Sequence, residues 1–569
     1  MKVIMKKIFF ALVIAALALT GCESRLNIDQ KGVIGQENFY QTEADAQSAL
    51  TSAYYMAGRW FSNSMQTTAG WNDCPWLCIW EYASDDMFVA GENKGDGASG
   101  NEIQTFRATM DNSSIQGAYE AYYMIINACN LVICNFENKE GVTPTMMSCV
   151  AQARVLRAYT QHLIALAWGT APIVREILPV DAKPGNEESQ AAVLQWVADE
   201  CDKAIAEGLP SKTSVNDAKG AVIVTKEFAY AVKGKALVSM KNYKDAAAAL
   251  KNVISSGKYA LVDSDKMETL NHKSGKATSE AVFEFSYNFE SSLGNYYRSQ
   301  PNFRPLWNWR SSRMIMPASC DGNGWGWCNP SKKFVDAILD YDGYDSARRK
   351  AWIKSYDEVL YEMPYPNDAD VPTKEMKASD SNRGVFNEVG LYGHCGYFMW
   401  KRLFRAEDRI ASDGNVADWN LTIMRYAEVL LLYAECMANI GDDGSGLKAL
   451  QEVNERAQSK TKVTACDMKT VKMEKFLECW LDGTRFQDLV RWGDAAAELG
   501  DAGSYYPNFV DAMFSKGESV HRGYIDDSDA DWCKKLYPNI GFKTGRSELF
   551  PMPFCELNVN PNLNQNPGY

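Results

Sequence analysis

Two stretches of this 569-residue chain gather side chains that could do chemistry. "WNDCPWLCIW" (71–80) holds Trp71, Trp76 and Trp80, and "WNWRSSRMIMPASCDGNGWGW" (307–327) holds Trp307, Trp309, Trp325 and Trp327. Seven of the 16 tryptophans thus fall in a small part of the chain, where even scatter would place about one. Polar partners interleave with them: Asn72 and Asp73 in the first stretch, Asn308, Arg310, Asp321 and Asn323 in the second. An indole set flat at a surface covers a patch of C–H groups, while amides, carboxylates and guanidinium groups bond hydroxyls around its edge. That pattern suits a sugar ring, and it needs neither a cofactor nor a reactive group. Glycines on either side of Trp325 and Trp327 let the backbone turn so that these rings stand out, which makes them the leading candidates.

Weaker candidates are Arg383 in "DSNRGVFN", Tyr397 in "GHCGYFMWKR" and, because it and Asp86 in "EYASDDMF" resemble a segment near the ligand site of a known family, Asp85. Each has a structural alternative. Tryptophan is usually mostly buried, so about half of the clustered seven are expected to support the loops rather than face solvent. Trp196, Trp480 and Trp492, on helical patterns, are expected in the core. Asp85 has helix capping as its alternative role. Carboxylates such as Glu81, Asp85, Asp321, Asp342 and Asp345 raise a second reading, an anchored glycoside hydrolase with an acid and a base flanking a sugar. No glycosidase segment surrounds them, and no enzyme is expected. No metal site is expected either: the four histidines are scattered, and the 15 cysteines contain no C-x₂-C pair. Cys201, Cys436 and Cys479 sit at apolar helix positions, whereas Cys74 with Cys78 and Cys320 with Cys328 are spaced for disulfides in an oxidising compartment.

The chain opens "MKVIMKKIFFALVIAALALTGC". Lys2, Lys6 and Lys7 form a basic region, and Ile8 to Leu19 is an apolar run too short to span a bilayer, the form of a secretory leader. It ends in Leu19-Thr20-Gly21-Cys22, which resembles a bacterial lipobox. The expectation is a signal peptide over 1–21 and lipidation of Cys22, palmitate included, with the rest tethered through its N-terminus. The net charge of −13 would repel phosphates, and losing the leader's lysines only deepens it, so nucleic acid is not an expected partner.

The elements that position these residues read as helices. "SCVAQARVLRAYTQHLIALAWG" (148–169) and "AAVLQWVADECDKAIAEGLP" (191–210) carry helical spacing and end at Gly169 and Gly208. The stretch 225–259 predicts two helices broken around Lys241-Asn242, with Thr225 as a cap, and it looks like a tetratricopeptide unit. Small Gly234 and Ala246 would let its helices approach closely. A second pair is predicted over 423–457, its first helix apolar nearly all round with Arg425, Glu428 and Glu435 on one stripe. Residues 71–105 and 260–420 show little helical period and read as long loop-rich insertions.

Four segments together resemble hallmarks of one family: "AQARVLRAYTQHLIALAWGTAPIV" (151–174), "IMRYAEVLLLYAECMANIG" (423–441), "EKFLECWLDGTRFQDLVRWG" (474–493) and "LFPMPFCELNVNPNLNQNPGY" (549–569). In this order, and with the lipobox, they resemble the SusD/RagB proteins, glycan-binding lipoproteins of Bacteroidetes. The resemblance implies a mainly α, SusD-like fold: tetratricopeptide-like helix pairs as scaffold within a single domain over 22–569, with loop insertions forming the binding face. It also implies a non-catalytic protein on the extracellular face of the outer membrane, partnering a SusC-like TonB-dependent transporter and delivering oligosaccharide to it. Arg425, Glu428, Asp482, Arg485, Asp488 and Arg491 within the hallmarks read as charges that pair helices and loops, not as ligand contacts. A helical-repeat adaptor that binds only proteins is a further alternative; it would leave the clustered aromatics without a role.

Overall fold

The computed structural model describes residues 39–62, 66–67, 70–71, 80–89, 98–287, 328–355, 358–364, 397–403, 405–410, 413–500 and 540–569. Helices dominate. Helix α1 (Glu43–Ser62) packs on α2 (Ser113–Phe136) and α3 (Pro144–Trp168); α4 (Gln190–Ala206), α5 (Lys226–Ser239) and α6 (Tyr243–Ile254) then stack in succession. The start predicted at Thr225 holds, whereas the helix predicted from 148 begins earlier, at Pro144, behind a cap of its own. Thr143 accepts the Met146 amide, Ser189 the Ala192 amide and Thr225 the Phe228 amide, each supplying an acceptor to a helix start that lacks one. Gly169 closes α3 at a φ of +64°, and a Cβ there would lie 2.8 Å from Leu549.

The tetratricopeptide-like pair is α5 with α6. At Gly234 the helices touch so closely that a Cβ would meet Leu250 Cδ2 at 2.6 Å, the close approach the sequence predicts. After α6 the chain leaves the stack and rejoins it with α9 (Tyr426–Ile440), which packs on α6 and is followed by α10 (Ser445–Arg456) and α11 (Met468–Glu478). An antiparallel ladder closes the base of the excursion. Strand β1 (Ala281–Phe285) runs against β4 (Leu421–Arg425), with Ala281 opposite Arg425 and Phe285 opposite Leu421. The predicted helix over 423–457 therefore starts at Tyr426; the residues before it are drawn into strand by a partner far away in sequence.

The insertion over 260–420 is less irregular than expected. It contains α7 (Lys332–Tyr341), α8 (Ala347–Trp352), β2 (Ile353–Ser355) and β3 (Tyr397–Met399). Ten and six residues are too few for the helical period of α7 and α8 to emerge from composition. A further short helix, Ala98–Gln104, lies in the other insertion.

One apolar core runs through the scaffold, and a buried ionic network crosses it. Arg425 bonds Glu280 at 2.6 Å, Glu478 at 2.8 Å and Asp482 at 2.5 Å; Arg456 reaches Glu280 and Glu478, and Arg348 reaches Asp342, Glu474 and Glu478. Burial alone would raise the Glu478 carboxyl, but three arginines outweigh it and hold it at about 2. Asp482 also takes Lys401 and Arg402, tying the end of the insertion to the scaffold. Glu428 pairs with buried Lys235, Asp488 with Lys475, and Glu435 with Arg491. The charges of the hallmark segments are structural, as read from the sequence. Among the described tryptophans of the helical patterns, Trp480 is fully buried and stacks on Phe334, with centroids 4.6 Å apart. Trp196 and Trp492 are only half-buried, each beneath cations: Arg157 and Arg175 over one, Lys472 and Arg491 over the other.

Candidate functional site

The two tryptophan stretches are far apart in sequence, yet their roots are paired. Residues 81–89 follow the first cluster directly, and residues 328–331 follow the second. Met87 bridges Pro330; the Phe88 amide donates to the Asn329 carbonyl at 2.9 Å and the Cys328 amide to the Phe88 carbonyl at 2.8 Å. The Ser331 amide reaches the Asp86 carbonyl at 3.0 Å, and its hydroxyl reaches the Asp85 carbonyl at 2.7 Å while accepting the Phe334 amide to cap α7. A third predicted segment joins them. The Asn329 side-chain oxygen accepts the Met399 amide at 2.9 Å, which fixes the strand that begins at Tyr397.

Charge holds the junction to the scaffold. Arg485, opening α12 (Arg485–Trp492), donates through Nε and Nη2 to the two oxygens of Asp85 at 2.7 and 2.8 Å. Lys333 of α7 bonds the same carboxylate. Burial pushes Asp85 up, but these cations outweigh it and leave the carboxyl below its ordinary range. Two neighbouring acids behave in the opposite way. Asp86 is pushed up to about 7 by burial and by the charge of Asp85, and Glu81 is raised by burial and then by Asp86. Glu81 accepts the Gly483 amide and Asp86 accepts the Ser84 hydroxyl, but Glu81 Oε2 and Asp86 Oδ2 have no partner among the described residues.

These positions correct two expectations. Asp85 has no exposure and is saturated by cations, so it anchors the loop instead of meeting a ligand. Trp80 is likewise fully buried, its indole Nε1 donating to the Tyr122 hydroxyl at 3.2 Å, and it presents no stacking face. The apolar flank of α2 claims the ring. Glu81 and Asp342 are buried in the same way. Trp71 lies in a two-residue rung, opposite Gln66. Asn72, Asp73, Trp307, Trp309, Trp325, Trp327 and Arg383 lie outside the described residues, as do Cys22 and the partners of both cysteine pairs other than Cys328.

Tyr397 is half-buried. It faces Ser355 across the β2–β3 ladder, and the Ser355 hydroxyl lies 3.2 Å from the hydroxyl of Tyr344. Tyr344 is 45% exposed, with the Arg349 guanidinium 4.1 Å from its ring centroid. It adds a solvent-facing ring that sequence reasoning missed, although "YDGYDS" places it beside a glycine at φ +90°, the signal used for Trp325. His272, Glu407 and Asp408 also cluster, but His272 Nδ1 meets Asp408 at 2.8 Å and Nε2 meets the Lys401 carbonyl at 3.1 Å. Asp408 further accepts the amides of Lys273 and Arg405, which makes the cluster a loop knot rather than a metal centre.

The model of the SusD family matches residues 387–569, from the Tyr397 strand through the ionic network to the C-terminus. Over those residues the chain is similar to the SusD family. It is 23% identical to SusD-like protein P2 of Formosa agariphila over 99% of this chain and 100% of that protein. Among solved structures, surface glycan-binding protein A from Bacteroides fluxus is 24% identical with a TM-score of 0.67, covering 93% of this chain and 100% of that one. Surface glycan-binding protein A from Bacteroides thetaiotaomicron, in complex with laminarihexaose, is 19% identical with a TM-score of 0.70, covering 92% and 100%. The SusD-like fold is thus shared across nearly the whole chain, and the two solved structures are named for glycan binding.

Proposed function

We propose that this protein is a non-catalytic glycan-capture lipoprotein, anchored through Cys22 at the extracellular face of the outer membrane. It would pass oligosaccharide to a SusC-like TonB-dependent transporter. The observation that carries the reading is the junction of residues 85–88, 328–331 and 397–399, which roots both tryptophan clusters and the Tyr397 strand on one edge of the helical scaffold. Side chains that stack and side chains that bond hydroxyls would then act on one ligand from three directions, with Trp325, Trp327, Trp307, Trp309, Trp71, Asn72, Asp73, Arg383, Tyr397 and Tyr344 as its contacts. The carboxylates placed at this junction, Glu81, Asp85 and Asp86, are buried and cannot flank a glycosidic bond. The names of the relatives, one of them solved with laminarihexaose, support a glycan as ligand.

Native gels cast with a panel of polysaccharides, laminarin first, test this directly. Retardation on at least one polymer, with no reducing ends released on prolonged incubation, is the expected result. Release of sugar would favour the glycosidase reading, and migration unaffected by every polymer would favour the protein-only adaptor.

A further inference from the structure

We propose a second, weaker oligosaccharide site on the opposite kind of surface, a cleft in the helical scaffold itself; the proposal rests on the glycan-capture reading above. The cleft encloses about 770 Å³, within the range of sites that hold small ligands. Helix α1 forms one wall. Gln47, Thr51 and Tyr55 are four residues apart and so line one face of the helix, with the Tyr55 ring 41% exposed. The facing wall comes from α3, where Ser148 and Gln152 have the same spacing, and from the end of β1, where the chain continues through Phe285 to Tyr287.

The cleft is a built feature. The Phe285 ring packs against Gly58 at ordinary van der Waals distance, and the Tyr287 hydroxyl closes the floor on the Gly58 carbonyl at 2.7 Å. Tyr54 accepts the Val224 amide at 2.6 Å and donates to Gln152 at 2.9 Å, fixing the amide of Gln152 at the wall. The chemistry of the lining selects the ligand. Although the chain carries a net charge of −13, no aspartate or glutamate lines this cleft among the described residues, which disfavours a cationic ligand. Its lining combines tyrosine rings and neutral amides and hydroxyls that both donate and accept with apolar Leu50, Val222, Ile223 and Phe285 and two cations, Arg59 and Lys219. That set matches a polyhydroxylated ring with an apolar face, the same chemistry as the loop site but presented by rigid helices.

The test is calorimetric titration of the intact protein with a hexasaccharide prepared from the polymer that retards it on gels. Two classes of site are expected. Tyr55→Ala should remove the weaker class, at least tenfold in affinity, and leave the stronger one and the melting temperature unchanged, because the ring is exposed. Thr51→Trp, which fills the cleft from an exposed position, should do the same. Trp325→Ala with Trp327→Ala should remove only the stronger class. A single class of site indifferent to Tyr55→Ala and Thr51→Trp overturns the cleft and leaves the loop site standing. If no polymer retards the wild-type protein, the capture reading and the cleft fall together.

Discussion

Asp85 and Arg485, 400 residues apart in sequence, meet in a two-point ion pair that fastens the root of the aromatic loops to a scaffold helix. Its guanidinium also lies over the Phe476 ring, 4.2 Å from the centroid, so the arginine is packed as well as paired. Removing one partner of a buried pair leaves an uncompensated charge, at a cost of about 3–5 kcal/mol. Arg485→Met should therefore lower stability by that order and weaken glycan retention at the same time, because the junction it holds roots the loops. Denaturant titration and affinity gels on one preparation check both effects. An unchanged unfolding midpoint would show that Lys333 alone suffices to hold Asp85.

The acids beside this pair give stability an unusual pH dependence. Asp86 rises from its ordinary 3.8 to about 7 in the folded protein, with burial the main cause and Asp85 the next. A carboxyl raised in this way contributes stability that is complete below about 4 and lost as pH climbs through 7. Glu81, raised by burial and by Asp86, acts in the same sense, with Arg402 opposing and Asp482 reinforcing. Glu478, held at about 2, contributes in the opposite sense and loses its share only in strong acid. The melting temperature should accordingly fall between pH 5 and pH 9, by an amount on the order of a few kcal/mol in free energy. Asp86→Asn should flatten that slope and stabilise the protein at pH 8. A wild-type profile that rises over this interval would exclude the assignment.

Trp325 and Trp80 bound the two possible fates of a clustered tryptophan. Stripping an exposed stacking ring loses on the order of 1–3 kcal/mol, by analogy with rings stacked on nucleic-acid bases, which is about tenfold to a hundredfold in affinity. Trp325→Ala and Trp327→Ala should weaken glycan binding by that much with melting unchanged. Trp80→Ala should instead cost about 3–5 kcal/mol of stability, since its ring is enclosed by the core. Calorimetry and thermal melts of all three variants separate the outcomes; a stability loss at Trp325 would make that ring a support.

Lipidation at Cys22 is checked by fractionation. Cys22→Ala should leave the detergent phase and appear in the soluble fraction with its melting temperature intact. Persistence of the variant at the cell surface, labelled from outside, would mean that something other than an acylated cysteine retains it.

The helix contact at Gly234 predicts a steric effect. Gly234→Ala puts a methyl group 2.6 Å from Leu250 Cδ2 and should cost about 1–3 kcal/mol through overpacking. Leu250→Ala in the same chain should recover part of that loss, whereas additive losses in the double variant would place the strain elsewhere.

By itself the sequence determined what is local. The 3.6-residue period and the cap Thr225 mark helices because a cap satisfies an amide within three residues of itself. Gly234 declares a close helix contact for the same local reason. The charges of the hallmark segments were legible as structural, and so was the resemblance to the SusD/RagB proteins, because such packing constraints recur in a fixed order. Tertiary structure decided which of several chemically equal residues faces solvent. Trp80 and Trp71 stand in one aromatic run, and Asp85 and Asp86 are adjacent, yet burial encloses Trp80, and Arg485 keeps Asp85 charged while Asp86 takes up a proton near neutral pH. Exposure and proton affinity depend on neighbours hundreds of residues away, and no window along the chain contains them. The pairing of Met87 with Pro330 and of Ala281 with Arg425 is of the same kind: backbone hydrogen bonds have no side-chain signature, so only the folded chain brings the roots of separate loops together.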